Sequence, residues 1–437
     1  MHLRPGQFWP VPLSDGRFGC GLVLGAEREP GYGSRTWFLA GLLDWAGAEP
    51  PTAEAIAGAP LLEVGHAHID VISSDGGSIV GERTVNGDAP AVPETVLSYW
   101  GAGYPKTRLE RRFIAGDPAP KAERRFISSP LTDEMLAPSA TGRGVVQFGY
   151  QPLTDDEYPR LAAWLEQYPE MTLRVYSSTA IRDLEFLRFF PTLQNFAADT
   201  LLNLGSLDGL RHLPDTLRGL GLGATKRQLD LRILERFPGL RRLYLERQHK
   251  GIEVVSRLTS LDELTFRSIT LADLSLLLPL DSLRSLDVKL GGTNDLALLP
   301  QVGKLRYLEL WRIRGLSDVS KTGELPHLRH LFLQALPQVT VLPDFSGARS
   351  LRRIHLEGMK GIRDLRPIAT APVLKELVLG DLTQLQPEDL RPLVGLQHLE
   401  AVTAHLGGAK KNAEAQALLD LPEVDFSWDW HDEEPQT

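Results

Sequence analysis

The chain has 437 residues, 42% hydrophobic and 24% charged, with 47 basic and 56 acidic side chains for a net charge of −9. That balance argues against a general binder of nucleic acid or anionic membrane, which needs a basic surface. A single cysteine, Cys20, excludes an internal disulfide framework and a cysteine-cluster zinc site. No stretch reaches the ~18 apolar residues of a membrane span, and Met1-His2-Leu3-Arg4-Pro5 lacks a signal-peptide core. The expectation is a cytosolic monomer that buries a large core.

Residues 1–100 carry 5 basic and 12 acidic side chains. Gln7–Leu13 and Arg17–Gly25 read as two strands around Ser14-Asp15-Gly16, an Asp-Gly turn. A third strand is predicted over Arg35–Trp45, a short helix over Thr52–Ala57, and further strands over Leu61–Ser73 and Ser78–Arg83. The result is a small β-rich α+β domain. The string from Pro5 through Gln7-Phe8-Trp9-Pro10-Val11-Pro12-Leu13, Ser14-Asp15-Gly16 and Arg17-Phe18-Gly19-Cys20-Gly21 resembles the opening of the immunity protein 26 family of bacterial polymorphic-toxin systems. That resemblance spans about 80 residues and implies a cytosolic binder that neutralises a cognate toxin without catalysis of its own.

Residues 101–150 reverse the charge, with 8 basic and 5 acidic side chains. Arg108, Arg111, Arg112, Lys121, Arg124 and Arg125 fall in or beside two near-duplicates, Glu110–Ile114 and Glu123–Ile127. Gly116-Asp117-Pro118-Ala119-Pro120 between them favours a turn. A basic linker over 101–143, or a strand pair within it, is expected. Its arginines either bind an anion or an acidic partner or, the favoured alternative, pair with the acidic N-terminal domain.

The second half repeats. The form L-x-x-L-x-L starts near 170, 193, 217, 240, 261, 283, 305, 328, 351, 374 and 396, at intervals of 21 to 24 residues. In L-x-L both leucines face one side of a strand and the residue between them faces the other. One strand cannot bury that face alone, so copies must stack. Between strands, Ile181-x-Asp183-Leu184-x-x-Leu187 matches Ile362-x-Asp364-Leu365-x-x-Ile368, an Asp-capped helical turn. This half resembles the leucine-rich repeat proteins. The expected fold is an α/β solenoid, a parallel β-sheet horseshoe of about eleven repeats over 144–427. A strand at Gly144–Tyr150 and a helix over Thr154–Tyr168 cap one end. A helix over Ala409–Leu419 and a strand at Val424–Phe426 cap the other, followed by an acidic tail over 428–437. The eighth position of each repeat, an Asn in many such proteins, holds Leu201, Thr225, Gln248, Ile269, Gly291, Ile313, Leu336, Met359, Leu382 and Ala404 instead.

Three motifs offer chemistry. His66, His68 and Asp70 would share one strand face, as a metal-dependent hydrolase requires, yet no further ligands follow in a βα series, and a polar strand face is the commoner meaning. Gly219-Leu220-Gly221-Leu222-Gly223 imitates a dinucleotide loop, but its leucines are in repeat register. Cys20, on an apolar hairpin, reads as a buried inert thiol. No metal or cofactor is therefore expected.

What remains is the concave sheet face. Between the strand leucines it presents Arg174, Ala197, Gly221, Tyr244, Thr265, Asp287, Glu309, Phe332, His355, Val378 and Glu400. After the second leucine it adds Glu246, Arg267, Lys289, Trp311, Gln334, Glu357 and Gly380. At ~4.8 Å per strand, eleven strands extend roughly 50 Å. Tyr244, Trp311, Phe332 and His355 among mixed charges have the composition of a protein interface. Asp287 with Lys289, and Glu309 with Arg267, are in reach of pairing on the same face. The function expected is non-enzymatic: an immunity protein that binds a toxin, or alternatively a general leucine-rich-repeat scaffold.

Overall fold

The computed structural model describes residues 3–25, 37–73, 77–83, 99–100, 103–114, 123–139, 141–149 and 152–424. The chain divides after residue 120 into two compact units.

In the first unit β1 (Gln7–Pro12) and β2 (Phe18–Gly25) form an antiparallel hairpin with Phe8 opposite Leu22 and Pro12 opposite Phe18. Gly16 supplies the positive φ of the turn, +83°, and Asp15 Oδ1 accepts the Arg17 N–H at 3.1 Å. β3 (Trp37–Gly47), β4 (Leu61–His68), β5 (Gly81–Glu82) and β6 (Tyr99–Trp100) complete a sheet in the order β5-β1-β2-β3-β4-β6. Trp9 lies on Gly21 and Trp100 on Gly65, where an added Cβ would come within 2.2 and 2.3 Å of each ring. Glycine is thus what lets these two large side chains reach full burial. Cys20 is fully buried in this sheet, and burial pushes its thiol up to about 12.

Three local expectations change. Thr52–Ala57 is turn, not helix, and only Gly81–Glu82 of Ser78–Arg83 pairs as a strand. The strand expected over Leu61–Ser73 stops at His68, where the Asp70 N–H turns back to His68 Nδ1 at 3.3 Å and α1 (Asp70–Ser73) begins. A local side-chain bond to the backbone has replaced the ladder. Arg35 and Thr36, the start of the third strand, lie outside the described residues.

The stretch read as a basic linker is ordered at both ends. α2 (Tyr104–Phe113) buries Leu109 against the first sheet, while β7 (Glu123–Phe126) opens the second unit. Arg108 Nε meets Glu63 at 2.9 Å, and Arg112 grips Asp44 with two bonds of 2.8 Å. Arg125 donates to Met135 O at 3.1 Å and pairs with Glu123 at 3.3 Å. Arg108 and Arg112 thus pair with carboxylates of the first unit, as the favoured alternative had it, whereas Arg125 is tied within the second unit. The Arg111 side chain and Lys121 lie outside the described residues.

The second unit is one parallel sheet running from β7 through β8 (Arg143–Phe148), β9 (Glu170–Tyr176), β10 (Asn195–Asp199), β11 (Gly219–Leu222) and β12 (Arg242–Glu246). It continues through β13 (Glu263–Arg267), β14 (Ser285–Lys289), β15 (Tyr307–Trp311), β16 (His330–Gln334), β17 (Arg353–Glu357), β18 (Glu376–Gly380) and β19 (Ala401–Ala404). The unit is a leucine-rich-repeat solenoid. Leu243, Leu264, Leu286, Leu308, Leu331, Ile354 and Leu377 stand in register across seven strands. They and their partners two residues on are buried in a core that runs without interruption from Ile127 to Leu419. Each such side chain contributes roughly 1.5–3 kcal/mol by leaving water.

Short 3₁₀ turns return the chain on the core side, opened as expected by aspartate. Asp183, Asp273, Asp318 and Asp364 each accept the backbone N–H two residues on, at 2.8 to 3.0 Å. The missing asparagines are replaced mostly by apolar side chains: Leu201, Ile269, Ile313, Leu336, Met359 and Leu382 are buried there. Gln248 takes the polar part, donating to Gly223 O and Thr225 Oγ1 and accepting the Leu229 N–H, and Thr225 in turn donates to Arg227 O.

Caps close the stack. α3 (Glu157–Leu165) packs over β8, with Tyr158 against Phe148 and Phe186, and α4 (Ala409–Leu419) packs over β19. The last repeat departs from expectation. Val402 and Ala404, not Leu399 and Ala401, align with Leu377 and Leu379, so the eleventh copy sits three residues later than its consensus suggests. The strand expected at Val424–Phe426 and the tail over 428–437 lie, beyond Val424, outside the described residues.

Candidate protein-binding face

Strand alternation puts three residues of each repeat on the sheet face opposite the 3₁₀ turns. Two rows are those anticipated from the L-x-L-x pattern. A third precedes the first strand leucine and was overlooked, although the same period of two predicts it: Arg242, Glu263, Ser285, Tyr307, His330, Arg353, Glu376 and Ala401. Glu400, expected on this face, instead precedes β19 and pairs with Lys375 at 2.7 Å. Thr403 takes its place, buried beneath Val424. Val378, Ala401 and Val424 close that end of the face as a small apolar cluster.

The remaining candidates are brought together over β12–β17. Tyr244 donates to Glu246 at 3.2 Å, and Glu246 in turn holds Arg267 at 3.3 Å. The Arg267 guanidinium lies 5.5 Å from the Trp311 ring centroid, a cation–π contact. It does not reach Glu309 as anticipated. That carboxylate, only 6% exposed, is bound by Lys289 at 2.8 Å and by the Tyr307 hydroxyl at 3.2 Å. Lys289 also reaches Asp287 at 3.3 Å, and Thr265 donates to Asp287 at 3.2 Å.

Burial raises the Asp287 carboxyl above the usual range; Lys289 opposes this and Glu309 reinforces it. Burial works against the Lys289 ammonium, yet Asp287 and Glu309 outweigh it and lift its pKa. Burial, then Glu246, pushes the Tyr244 hydroxyl upward, so it is a proton donor at any ordinary pH. Further along, Phe332 stacks on His355, His355 Nε2 approaches Glu357 at 3.4 Å, and Gln334 donates to Glu357 at 2.8 Å. The aromatic rings are half-buried and held by neighbours on the same sheet. They form a prearranged, partly apolar floor with charged walls, suited to contact with another surface.

Beside this floor, Ala197, Gly219 and Gly221 leave a depression of ≈ 200 Å³ walled by Asn195, Arg242 and Tyr244. It lies over the sequence that imitates a dinucleotide loop, and its glycines are strand residues of β11.

The hydrolase alternative finds no support in geometry. His68 Nδ1 lies 3.1 Å from Asp70 Oδ2, but Asp70 has left the strand for α1. Among the described residues no group of three His, Cys, Asp or Glu side chains is placed to hold a metal ion, and no helix is long and apolar enough to cross a membrane.

No protein-family model matches the chain, and no curated protein is similar to it. Solved structures do resemble it. An internalin of Listeria monocytogenes aligns at 18% identity over 65% of this chain and 86% of its own, with a TM-score of 0.43. Internalin C2 of the same organism aligns at 21% identity over 50% and 83%, with a TM-score of 0.32. The leucine-rich repeat domain of the type III effector XopL aligns at 20% identity over 48% and 68%, with a TM-score of 0.31.

Proposed function

We propose that this chain is a non-enzymatic protein-binding scaffold that grips its partner on the open face of the solenoid. The observation that carries this reading is the convergence of Tyr244, Trp311, Phe332 and His355 with Glu246, Arg267, Asp287, Lys289, Glu309, Gln334 and Glu357 on one face. Such a floor is costly to expose unless something covers it, and its aromatic-and-arginine composition is that of interface hot spots. The test compares the immobilised full chain with a Trp311→Ala/Phe332→Ala variant against extract of the source cell. A protein retained stoichiometrically by the former and lost by the latter supports the reading; equal retention by both overturns it.

A narrower version assigns the partner. The β1–Ser14-Asp15-Gly16–β2 hairpin on which the immunity-protein resemblance rests is formed in the first unit. In that version the chain works in the cytosol as a monomer, without cofactor, and occludes a bacterial toxin. Co-expression with the candidate toxin should restore growth; continued killing removes this version and leaves the scaffold standing.

A further inference from the structure

One edge of the sheet carries a charge opposite to the rest of the chain. The residue after the first leucine of each repeat sits just before its strand, and in successive repeats it is Arg218, Arg241, Asp262, Arg284, Arg306, Arg329, Arg352 and Lys375. These positions are welded into one line by the backbone. Each N–H donates to the carbonyl of its counterpart one repeat earlier, Arg306 to Arg284, Arg329 to Arg306, Arg352 to Arg329 and Lys375 to Arg352, at 2.7 to 2.8 Å. From β14 to β18 the five segments 281–285, 303–307, 326–330, 349–353 and 372–376 hold eight Lys and Arg against Asp281 and Glu376 alone. A stripe of net +6 thus lies on a chain of net −9.

Several of these cations have neighbours of their own, Lys375 with Glu400 and Arg353 with Glu376 among them. Arg284, Arg306 and Arg352 also interact with neighbours, yet within the five segments cations outnumber carboxylates by six, and a buried group senses them. His330 is pushed down to about 3, by burial first and then by Arg353, Arg329 and Arg352 together. Inward from the stripe the sign reverses. The two inner rows from β12 to β18 hold Glu246, Asp287, Glu309 and Glu357 against Arg267 and Lys289, a net of −2.

We propose that the partner presents a helix laid across the strands, with a stripe of carboxylates on the Arg284–Lys375 edge and cations beside it over the Asp287–Glu309 floor. This rests on the protein-binding reading above and adds the partner's chemistry. The scales agree. Strands recur every ~4.8 Å and helical turns every ~5.4 Å, so over five repeats the mismatch stays near 2–3 Å, within the reach of an arginine. Edge and floor lie three residues apart along a strand, about 10 Å, close to the ~10–12 Å width of a helix with its side chains. A nucleic acid fits less well, because a uniformly anionic strand wide enough to use the edge would overlie the acidic floor.

The test measures fluorescence anisotropy of labelled probes on the full chain at low salt. The probes are a 16-residue helical peptide with adjacent Glu and Lys stripes, decaglutamate, and decauridylate. The expected order of affinity is striped helix, then decaglutamate, then decauridylate. Arg306→Glu/Arg329→Glu/Arg352→Glu should weaken the striped helix at least ten-fold. Because that variant replaces two partly buried side chains, Arg306 and Arg329, the variant Arg284→Gln/Arg349→Gln/Lys375→Gln, at exposed positions, is run beside it and should weaken binding at least three-fold. Unchanged binding in the second variant overturns the proposal, as does tightest binding of decauridylate. Trp311→Ala/Phe332→Ala should leave decaglutamate binding within two-fold. If the edge fails these tests while that variant still abolishes partner capture, only the edge is rejected.

Discussion

On the open face the rings of Phe332 and His355 lie stacked, their centroids 4.0 Å apart and their planes 11° from parallel. The stack covers the imidazole, and burial, with Arg353 beside it, pushes His355 down to about 4. Phe332→Ala should open that ring to water while leaving the buried Leu331 and Leu333 in place. The midpoint of His355 followed by proton NMR is expected to climb from about 4 toward 6.5. A midpoint that stays near 4 would show that Arg353 and the strands, not the stack, set it.

His330 and His355 also tie stability to pH. Their folded values, about 3 and about 4, lie below the 6.5 of an exposed histidine, so the unfolded chain takes up protons first. Their contribution is complete above pH 6.5 and is lost as pH falls toward 4, by up to roughly 1.4 kcal/mol per group per pH unit. Carboxylates held low by their partners, such as Asp44 under Arg112, act only below about 3.8, outside this window. His330 is faced by Tyr307, Arg329, Arg352 and Arg353, and His355 by Phe332, Arg353 and Glu357. Urea midpoints at pH 7.0, 5.5 and 4.5 should fall steeply for the native chain and less steeply for His330→Phe or His355→Phe. Parallel slopes would reject the assignment.

Most of the solenoid could be read from residue order because one physical demand, two apolar side chains per short strand, recurs at every copy. Reading failed where two registers satisfied that demand equally. Leu396-x-x-Leu399-x-Ala401 and Leu399-x-x-Val402-x-Ala404 both fit, and only pairing with Leu377 and Leu379 selects the second. The β7 strand was open only as half of a strand pair with Glu110–Ile114, which is helix instead: Glu123-Arg124-Arg125-Phe126 does not alternate apolar with polar, and its place comes from pairing with Gly144–Gln147. The face residues were legible as positions but not as partners. Which carboxylate Lys289 or Arg267 meets depends on side-chain reach across strands, and the row containing Tyr307 and His330 needed only the period of two carried one step further back.

Lys289 is the common cation of Asp287 and Glu309, at 3.3 and 2.8 Å. Lys289→Met keeps the length of the side chain and removes the charge, leaving two mostly buried carboxylates side by side. Breaking a buried pair in this way costs about 3–5 kcal/mol when fully enclosed; with these side chains about one-fifth exposed or less, roughly 2 kcal/mol is expected. Adding Glu309→Gln, which removes one of the two charges, should restore part of the loss. The urea midpoint of the double variant lying at or below that of Lys289→Met would rule out the charge explanation.

The strands end in a device that has a measurable cost. Four residues after the first strand leucine the backbone turns left-handed, at Ser177, Thr200, Arg247, Ser268, Leu290, Arg312, Ala335 and Asp381, with φ between 47° and 59°. The turn is imposed by the neighbouring repeat, since Arg312 N–H donates to Gln334 O at 3.0 Å and Leu290 N–H to Trp311 O at 2.8 Å. Gly358 alone among the positive-φ residues at this repeat position has no Cβ, with φ of +58°. A Cβ there would find only Ala335 atoms at 3.9 to 4.0 Å, ordinary contact distance, so strain and not space decides. Non-glycine residues pay about 1 kcal/mol or more in this region. Arg312 is exposed, so Arg312→Gly relieves strain with little packing lost, offset by the greater freedom glycine has in the unfolded chain. The expected outcome is a urea midpoint for Arg312→Gly that is unchanged or raised by up to about 1 kcal/mol, against a loss of about 1 kcal/mol for Gly358→Ala. Were Arg312→Gly to lose as much as Gly358→Ala, the left-handed turn would not be what limits these strand ends.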